Sequence, residues 1–80
     1  MRLDKYLKVS RLIKRRSVAN EVCDAGRVLA NEKPARASYE VKVGDIISIN
    51  FANSTLKVKV VSVAEHAKKE DADAMYSVIE

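Results

Sequence analysis

Gly26 divides this 80-residue chain into two periodicities. Before it, apolar residues recur at the three- and four-residue spacing of a helix; after it they alternate, as on half-buried strands. One change of period, from helix to strand, makes the expected class α+β: two N-terminal helices packed on a small, curved, mostly antiparallel sheet. Eighty residues make a single domain, and a domain of that size buries only about 60–65% of its unfolded surface, so its core is modest.

On a helical wheel of residues 2–11, at about 100° per residue, Leu3, Tyr6 and Leu7 fall on one side. Arg2, Lys5, Lys8 and Arg11 spread over the other, giving an apolar inner stripe and a cationic outer face. Residues 12–16 (Leu-Ile-Lys-Arg-Arg) read as a basic turn. Ser17 suits the N-cap of a second helix and Gly26 its left-handed stop, with Val18, Val22 and Ala25 facing inward. The basic turn therefore meets a helix amino end, where backbone N–H groups and the dipole favour an anion.

Arg27 to Ala30 reads as a short strand, followed by a turn at 31–34 and another at Val43-Gly44-Asp45. Ile46 to Phe51 is a clear strand, with Ile47, Ile49 and Phe51 on one face and Ser48 and Asn50 on the other. Leu56, Val58 and Val60 alternate with Lys57 and Lys59 until Val60-Val61, where the phase slips as at a bulge. Residues 65–74 are polar and acidic, and Met75 to Ile79 reads as a last edge strand.

Charge is as polarised as periodicity. The first sixteen residues hold Arg2, Lys5, Lys8, Arg11, Lys14, Arg15 and Arg16 against Asp4 alone, a net of +6, while the remaining 64 residues sum to −2. A phosphate backbone is the natural partner of such a surface. Arginine suits the task because its planar fork bridges phosphate oxygens and stacks on bases. Asp4 reads either as favourable charge at a helix start or as the group that orients a neighbouring arginine or accepts from a base or ribose hydroxyl. Arg27, Lys33 and Arg36 extend the basic surface along the first hairpin, whereas Lys57 and Lys59 read as a solvent face or edge protection.

Other chemistries find no support. The chain has no apolar run near the roughly 20 residues of a membrane span and no secretory signal pattern. Cys23 is the single cysteine, which points to a reducing, cytoplasmic setting, and neither it nor His66 has the neighbours a metal site or catalytic thiol needs. Tyr6, Tyr39 and Tyr76 are too few for a stacking platform, and Tyr6 reads as packing beside Leu3 and Leu7. Asn20 is placed to reach RNA from the exposed side of the second helix, but reads first as an ordinary surface residue.

Several short motifs, in order and spacing, resemble the alpha-L RNA-binding motif of small-subunit ribosomal protein S-four. They are Arg-Leu-Asp-Lys at 2–5, Ser10-Arg11, Arg15-Arg16-Ser17, Ala19, Gly26-Arg27-Val28, Asn31 and Val-Lys-Val-Gly-Asp-Ile-Ile at 41–47. The likeness covers residues 1–63, read as the RNA-binding domain, and leaves 64–80 as an acidic extension of net −3 with a possible edge strand. With so little beyond the motif, the chain is most similar to the RqcP-type proteins of bacterial ribosome-associated quality control. That resemblance implies no enzymatic activity and no cofactor or metal. It implies binding to large-subunit rRNA and peptidyl-tRNA, and support of alanine tailing alongside an RqcH-type factor by a protein that is monomeric off the ribosome. It implies RNA contact by Arg2, Asp4, Lys5, Lys8, Arg11, Lys14, Arg15, Arg16, Arg27, Lys33 and Arg36, with Arg2 and Arg16 on motif positions. The heat-shock ribosome-recycling type shares the fold and target but carries a longer basic tail. The family's strand and turn usually read Val-x-Val-Asn-Gly; here Glu32 stands in place of the glycine, so a wider turn or one of another type is expected.

Overall fold

The structure, a computed structural model, describes residues 1–63 and 72–79. The acidic run that includes His66 lies outside them, as does Glu80. Helix α1 (Leu3–Val9) and helix α2 (Arg16–Asp24) precede strands β1 (Val28–Ala30), β2 (Lys33–Pro34), β3 (Ile46–Asn50) and β4 (Thr55–Val60). A 3-10 turn (Asp73–Met75) leads into β5 (Tyr76–Val78). The strands form one antiparallel sheet in the order β2-β1-β3-β4-β5, the expected α+β arrangement.

Helix α1 carries Leu3, Tyr6 and Leu7, all fully buried, at the i, i+3, i+4 positions of one face. It is shorter than its pattern implies. The chain leaves the helix at Ser10, whose hydroxyl donates to the Leu7 carbonyl (3.3 Å), and Arg11 takes a left-handed φ of 65°. The start of α1 is satisfied by a distant segment: the N–H groups of Leu3 and Asp4 donate to the carbonyls of Tyr39 (2.8 Å) and Ala37 (3.2 Å).

Helix α2 is turned from the expected orientation. Ala19 and Cys23 are its buried residues, Val22 is half-buried, and Val18 (41% exposed) and Ala25 face outward. The short side chains of Ala19 and Cys23 let the two helix backbones approach, a packing gain that the larger but peripheral Val18 could not offer. Ser17 is not the N-cap; Arg15 holds that position and no side chain caps the helix. Gly26 does end it, at φ 79°, with its N–H donating to Cys23 (3.0 Å) and that of Arg27 to Val22 (3.0 Å), the paired bonds of a Schellman motif.

Register sets the core. Val28 pairs Ile49, which pairs Leu56; Ala30 pairs Ile47, which pairs Val58. These rows put Val28, Ala30, Ile47, Ile49, Val58 and Val60 in one buried cluster with the inner faces of both helices. Phe51, expected to continue the inner face, is 44% exposed because β3 ends at Asn50. Ser48 points to the opposite face yet is buried, between Leu29 and Lys57 in neighbouring strands. At the end of β4, the N–H groups of Val61 (2.9 Å) and Ser62 (3.2 Å) both reach the Met75 carbonyl, so two residues face one, as the phase slip anticipated.

The β1–β2 turn is tight, not widened. Ala30 pairs Lys33, leaving Asn31 and Glu32 as a two-residue loop with φ of 53° and 71°, the signature of a type I′ turn. Asn31 secures it: its N–H donates to Ile46 (2.7 Å), its side-chain oxygen accepts the Ile46 N–H (3.0 Å), and its amide donates to Asp45 (3.2 Å). Tyr39 also donates to Asp45, at 2.9 Å. These bonds over-determine the backbone, so Glu32 is carried into a conformation that glycine would adopt more easily.

Candidate nucleic-acid interface

With Leu3, Tyr6 and Leu7 turned into the core, Asp4 lies on the flank of α1 that meets α2. There Arg16 and Asn20, four residues apart, share a face of the second helix. One Asp4 oxygen accepts from the Arg2 Nε (3.2 Å) and the Lys5 N–H (2.8 Å). The other accepts from the Arg16 Nε (3.4 Å) and the Asn20 side-chain amide (3.3 Å). A single carboxylate thus joins the residue before α1, the first turn of α1 and the first two turns of α2.

Burial disfavours the charge on Asp4, but hydrogen bonds from Asn20, Arg2 and Arg16 outweigh it and hold the carboxyl below its ordinary value. The carboxylate is therefore ionised at neutral pH. Both readings of Asp4 apply: it accepts an N–H in the first turn of its own helix and it orients arginines.

The Asp4 side chain is only 3% exposed, whereas those of Arg2 and Arg16 are 51% and 50% exposed. Pairs half in water contribute at most about 1 kcal/mol each. Their main effect is orientation. Each guanidinium is held by Nε alone, and its four Nη–H donors have no protein partner among the described residues. The arrangement fixes two planar donor forks side by side over one buried anion, pointing to solvent.

The other basic residues divide into groups. Lys8, Arg11 and Lys14 line a hollow of about 280 Å³ where the chain turns out of α1. Arg15 is exposed at the start of α2, whose first N–H groups lack a side-chain cap. Lys5 is half-buried. Arg36 borders the Asp4 cluster through Ala37, whose carbonyl receives the Asp4 N–H and whose N–H donates to Asp24 (3.0 Å). Arg27 and Lys33 are exposed, but no hydrogen bond or ion pair among the described residues ties them to this cluster. Lys33 instead lines a hollow of about 500 Å³ with Ala30, Asn31, Pro34, Ala35 and Tyr39, where it is the only charged residue among the described residues.

Asn20 is the member that sequence reasoning set aside. Its four-residue spacing from Arg16 was the available signal. Cys23 is inert: burial, then the nearby carboxylates of Asp4 and Asp24, push its thiol up to about 12. Tyr6 is closed to stacking, being fully buried with its hydroxyl donating to the Met75 carbonyl (2.7 Å).

The S4 domain family matches residues 1–47. Over 79 residues the chain is 54% identical to the RQC P-site tRNA stabilizing factor of Streptococcus pneumoniae, spanning 99% of this chain and 90% of that one. This chain belongs to that S4-domain family. The factor of the same name from Halalkalibacterium halodurans is 49% identical over 78 residues, 98% of this chain and 89% of the relative. Among solved structures, heat shock protein 15 of Vibrio cholerae, described as trimeric, superposes with a TM-score of 0.91 at 25% identity, over 99% of this chain and 81% of that one. The S4 match spans both helices and the β1–β2 hairpin, so the whole Asp4 cluster lies inside it.

Proposed function

We propose that this protein is a non-catalytic, cytoplasmic RNA-binding adaptor of ribosome-associated quality control. It docks on a large ribosomal subunit carrying peptidyl-tRNA, touches both rRNA and tRNA, and supports alanine tailing of the stalled nascent chain alongside an RqcH-type factor. The observation that carries the reading is the pair of arginine forks held over Asp4. Donors already fixed in place lose little side-chain freedom when they close on phosphate oxygens. The relatives' name, RQC P-site tRNA stabilizing factor, supports the choice of target. A ribosome-bound role accords with the cytoplasm, and no helix among the described residues is long and apolar enough to cross a membrane.

In this reading Arg2 and Arg16 clamp the RNA backbone, with Asp4 and Asn20 behind them. Lys5, Lys8, Arg11, Lys14 and Arg15 supply the surrounding attraction, Arg36 flanks the clamp, and Arg27 and Lys33 touch RNA further out. Recognition is electrostatic and shape-based with few base-edge contacts. If about six phosphates are neutralised, log K falls against log salt with a slope near −5. The test is co-sedimentation with large subunits. Arg16→Ala and Arg2→Ala each lose it while melting like wild type; unchanged co-sedimentation of both removes the assignment.

A second reading, ribosome recycling after heat shock, is favoured by the likeness to heat shock protein 15. The net −3 of residues 64–80 argues against it, since that type carries a basic tail. The adaptor acts as a monomer off the ribosome; sedimentation as a trimer would favour the recycling type instead.

A further inference from the structure

We propose that β5, the last strand of the sheet, is a docking edge for an extended segment of a protein partner in which apolar residues flank an acidic one. The proposal goes beyond the RNA-binding reading and does not depend on it. The sheet has two edges, β2 and β5. The β2 edge is blunted: it is two residues long, Lys33 carries charge and Pro34 has no N–H to donate. The β5 edge, Tyr76-Ser77-Val78, has neither charge nor proline, and Ile79 extends its pairing by donating to the Lys57 carbonyl (2.8 Å). Lys57 and Lys59 are not edge residues, because β4 lies between β3 and β5. Both β4 and β5 follow residues 1–47, the part that the S4 family matches and that holds the arginine clamp.

Register defines what the edge presents. Met75 and Ile79 bond to β4, so by alternation the N–H and C=O groups of Tyr76 and Val78 point away from it. Those two side chains stand opposite Val60 and Val58, on the core face. Val78 is nevertheless 58% exposed, at the end of the apolar row. Ser77 stands opposite Lys59 on the outer face, and both are exposed. A strand added beyond β5 would lie about 4.8 Å away. Its residues opposite Tyr76 and Val78 continue the apolar row, which calls for apolar side chains. The residue between them faces the small Ser77, across which the long Lys59 side chain reaches, so a carboxylate there meets an ammonium. The chain's own acids at 73 and 80 bound β5 in sequence and disfavour further acids past either end of the strand. An edge of three residues is itself a protection against permanent pairing, and it fits a weak, reversible strand addition.

The experiment titrates the isotope-labelled full chain with two capped synthetic peptides, Thr-Val-Glu-Val-Thr and Thr-Val-Lys-Val-Thr, and follows amide NMR shifts and hydrogen exchange. The Tyr76 and Val78 amides are expected to shift and to gain protection. The glutamate peptide is expected to bind about two- to five-fold tighter, the yield of one exposed ion pair. Lys59→Gln should abolish that preference, and Ser77→Glu, at an exposed position, should reverse it. Val78→Pro removes an N–H that β4 does not use and should lose both peptides; if it melts below wild type, Ser77→Glu decides. Arg16→Ala should bind both peptides as wild type does, so the edge and the RNA clamp fail separately. Unshifted Tyr76 and Val78 amides at millimolar peptide, equal binding of the two peptides by wild type, or an unreversed order in Ser77→Glu overturns the proposal. So does dimerisation through β5 that neither peptide competes away, which would make a second copy the occupant.

Discussion

Asp4→Asn is the most informative single perturbation, because it keeps size and shape and removes only the charge. The carboxylate accepts four hydrogen bonds, two on each oxygen. An amide offers one oxygen and one donor group, and either orientation sets its NH₂ against existing donors. If the oxygen faces Arg2 and the Lys5 N–H, the NH₂ faces the Arg16 Nε and the Asn20 amide; the flip exchanges the pairs. Buried donors without acceptors cost about 1–3 kcal/mol. The two lost ion pairs add less, about 0–1 kcal/mol each, because both arginines are half in water. The expected destabilisation is about 2 kcal/mol, which in a domain of this size lowers Tm by roughly 8–16 °C. Thermal unfolding followed by far-UV circular dichroism at neutral pH measures it. The gap should also depend on pH. Asp4 has its carboxyl pKa lowered by folding, so its stabilisation is fully present above the ordinary value of 3.8 and fades as pH falls through the folded value. Wild type and variant therefore converge in acid. Released from their anchor, Arg2 and Arg16 regain rotamers and affinity for large subunits falls. A variant that melts and binds like wild type at neutral pH would refute the view that Asp4 organises this surface.

Glu32→Gly should stabilise the fold, since a non-glycine residue in the left-handed region costs about 1–2 kcal/mol and the greater freedom of unfolded glycine offsets part of that; a net rise of about 0.5–1 kcal/mol in denaturant unfolding is expected. A fall would show that the Glu32 side chain stabilises the turn. Tyr6→Phe removes one of three donors to the Met75 carbonyl, which keeps the N–H groups of Val61 and Ser62, and should cost about 0.5–1.5 kcal/mol, with amide exchange accelerating first in the β4–β5 pairing; uniform protection would contradict this. Cys23, with its thiol pushed up to about 12, should resist alkylation at pH 8 in the native state and react once denatured; rapid labelling of folded protein would show that the site is open.

What could be read from the residues was what local pattern decides. The inner face of α1 follows from Leu3, Tyr6 and Leu7 at helical spacing, the end of α2 from Gly26, and the inward rows of β3 and β4 from their alternation through Ile47, Ile49, Val58 and Val60. What escaped depends on neighbours far along the chain. Helix α2 turns Ala19 and Cys23 inward because α1 must come close, and no property of α2 alone ranks Ala19 above Val18. Glu32 enters a type I′ turn because Asn31 is tied to Ile46 and Asp45, a strand away. The charge run of the first sixteen residues marked the surface but not its division. Only the fold shows that one carboxylate gathers Arg2 and Arg16, that Asn20 stands behind them, and that Arg27 and Lys33 stand apart.

The bond from Tyr6 to Met75 joins residues 69 positions apart. The helix that carries Asp4 therefore gains this core partner only once Met75 has been synthesised. Local helices form within microseconds, but closing so long a loop is an entropic barrier, and until it is crossed the apolar stripe of α1 has no complete cover. Translation is slower than either event, so the nascent amino end waits, unfinished, for the 3-10 turn that completes it.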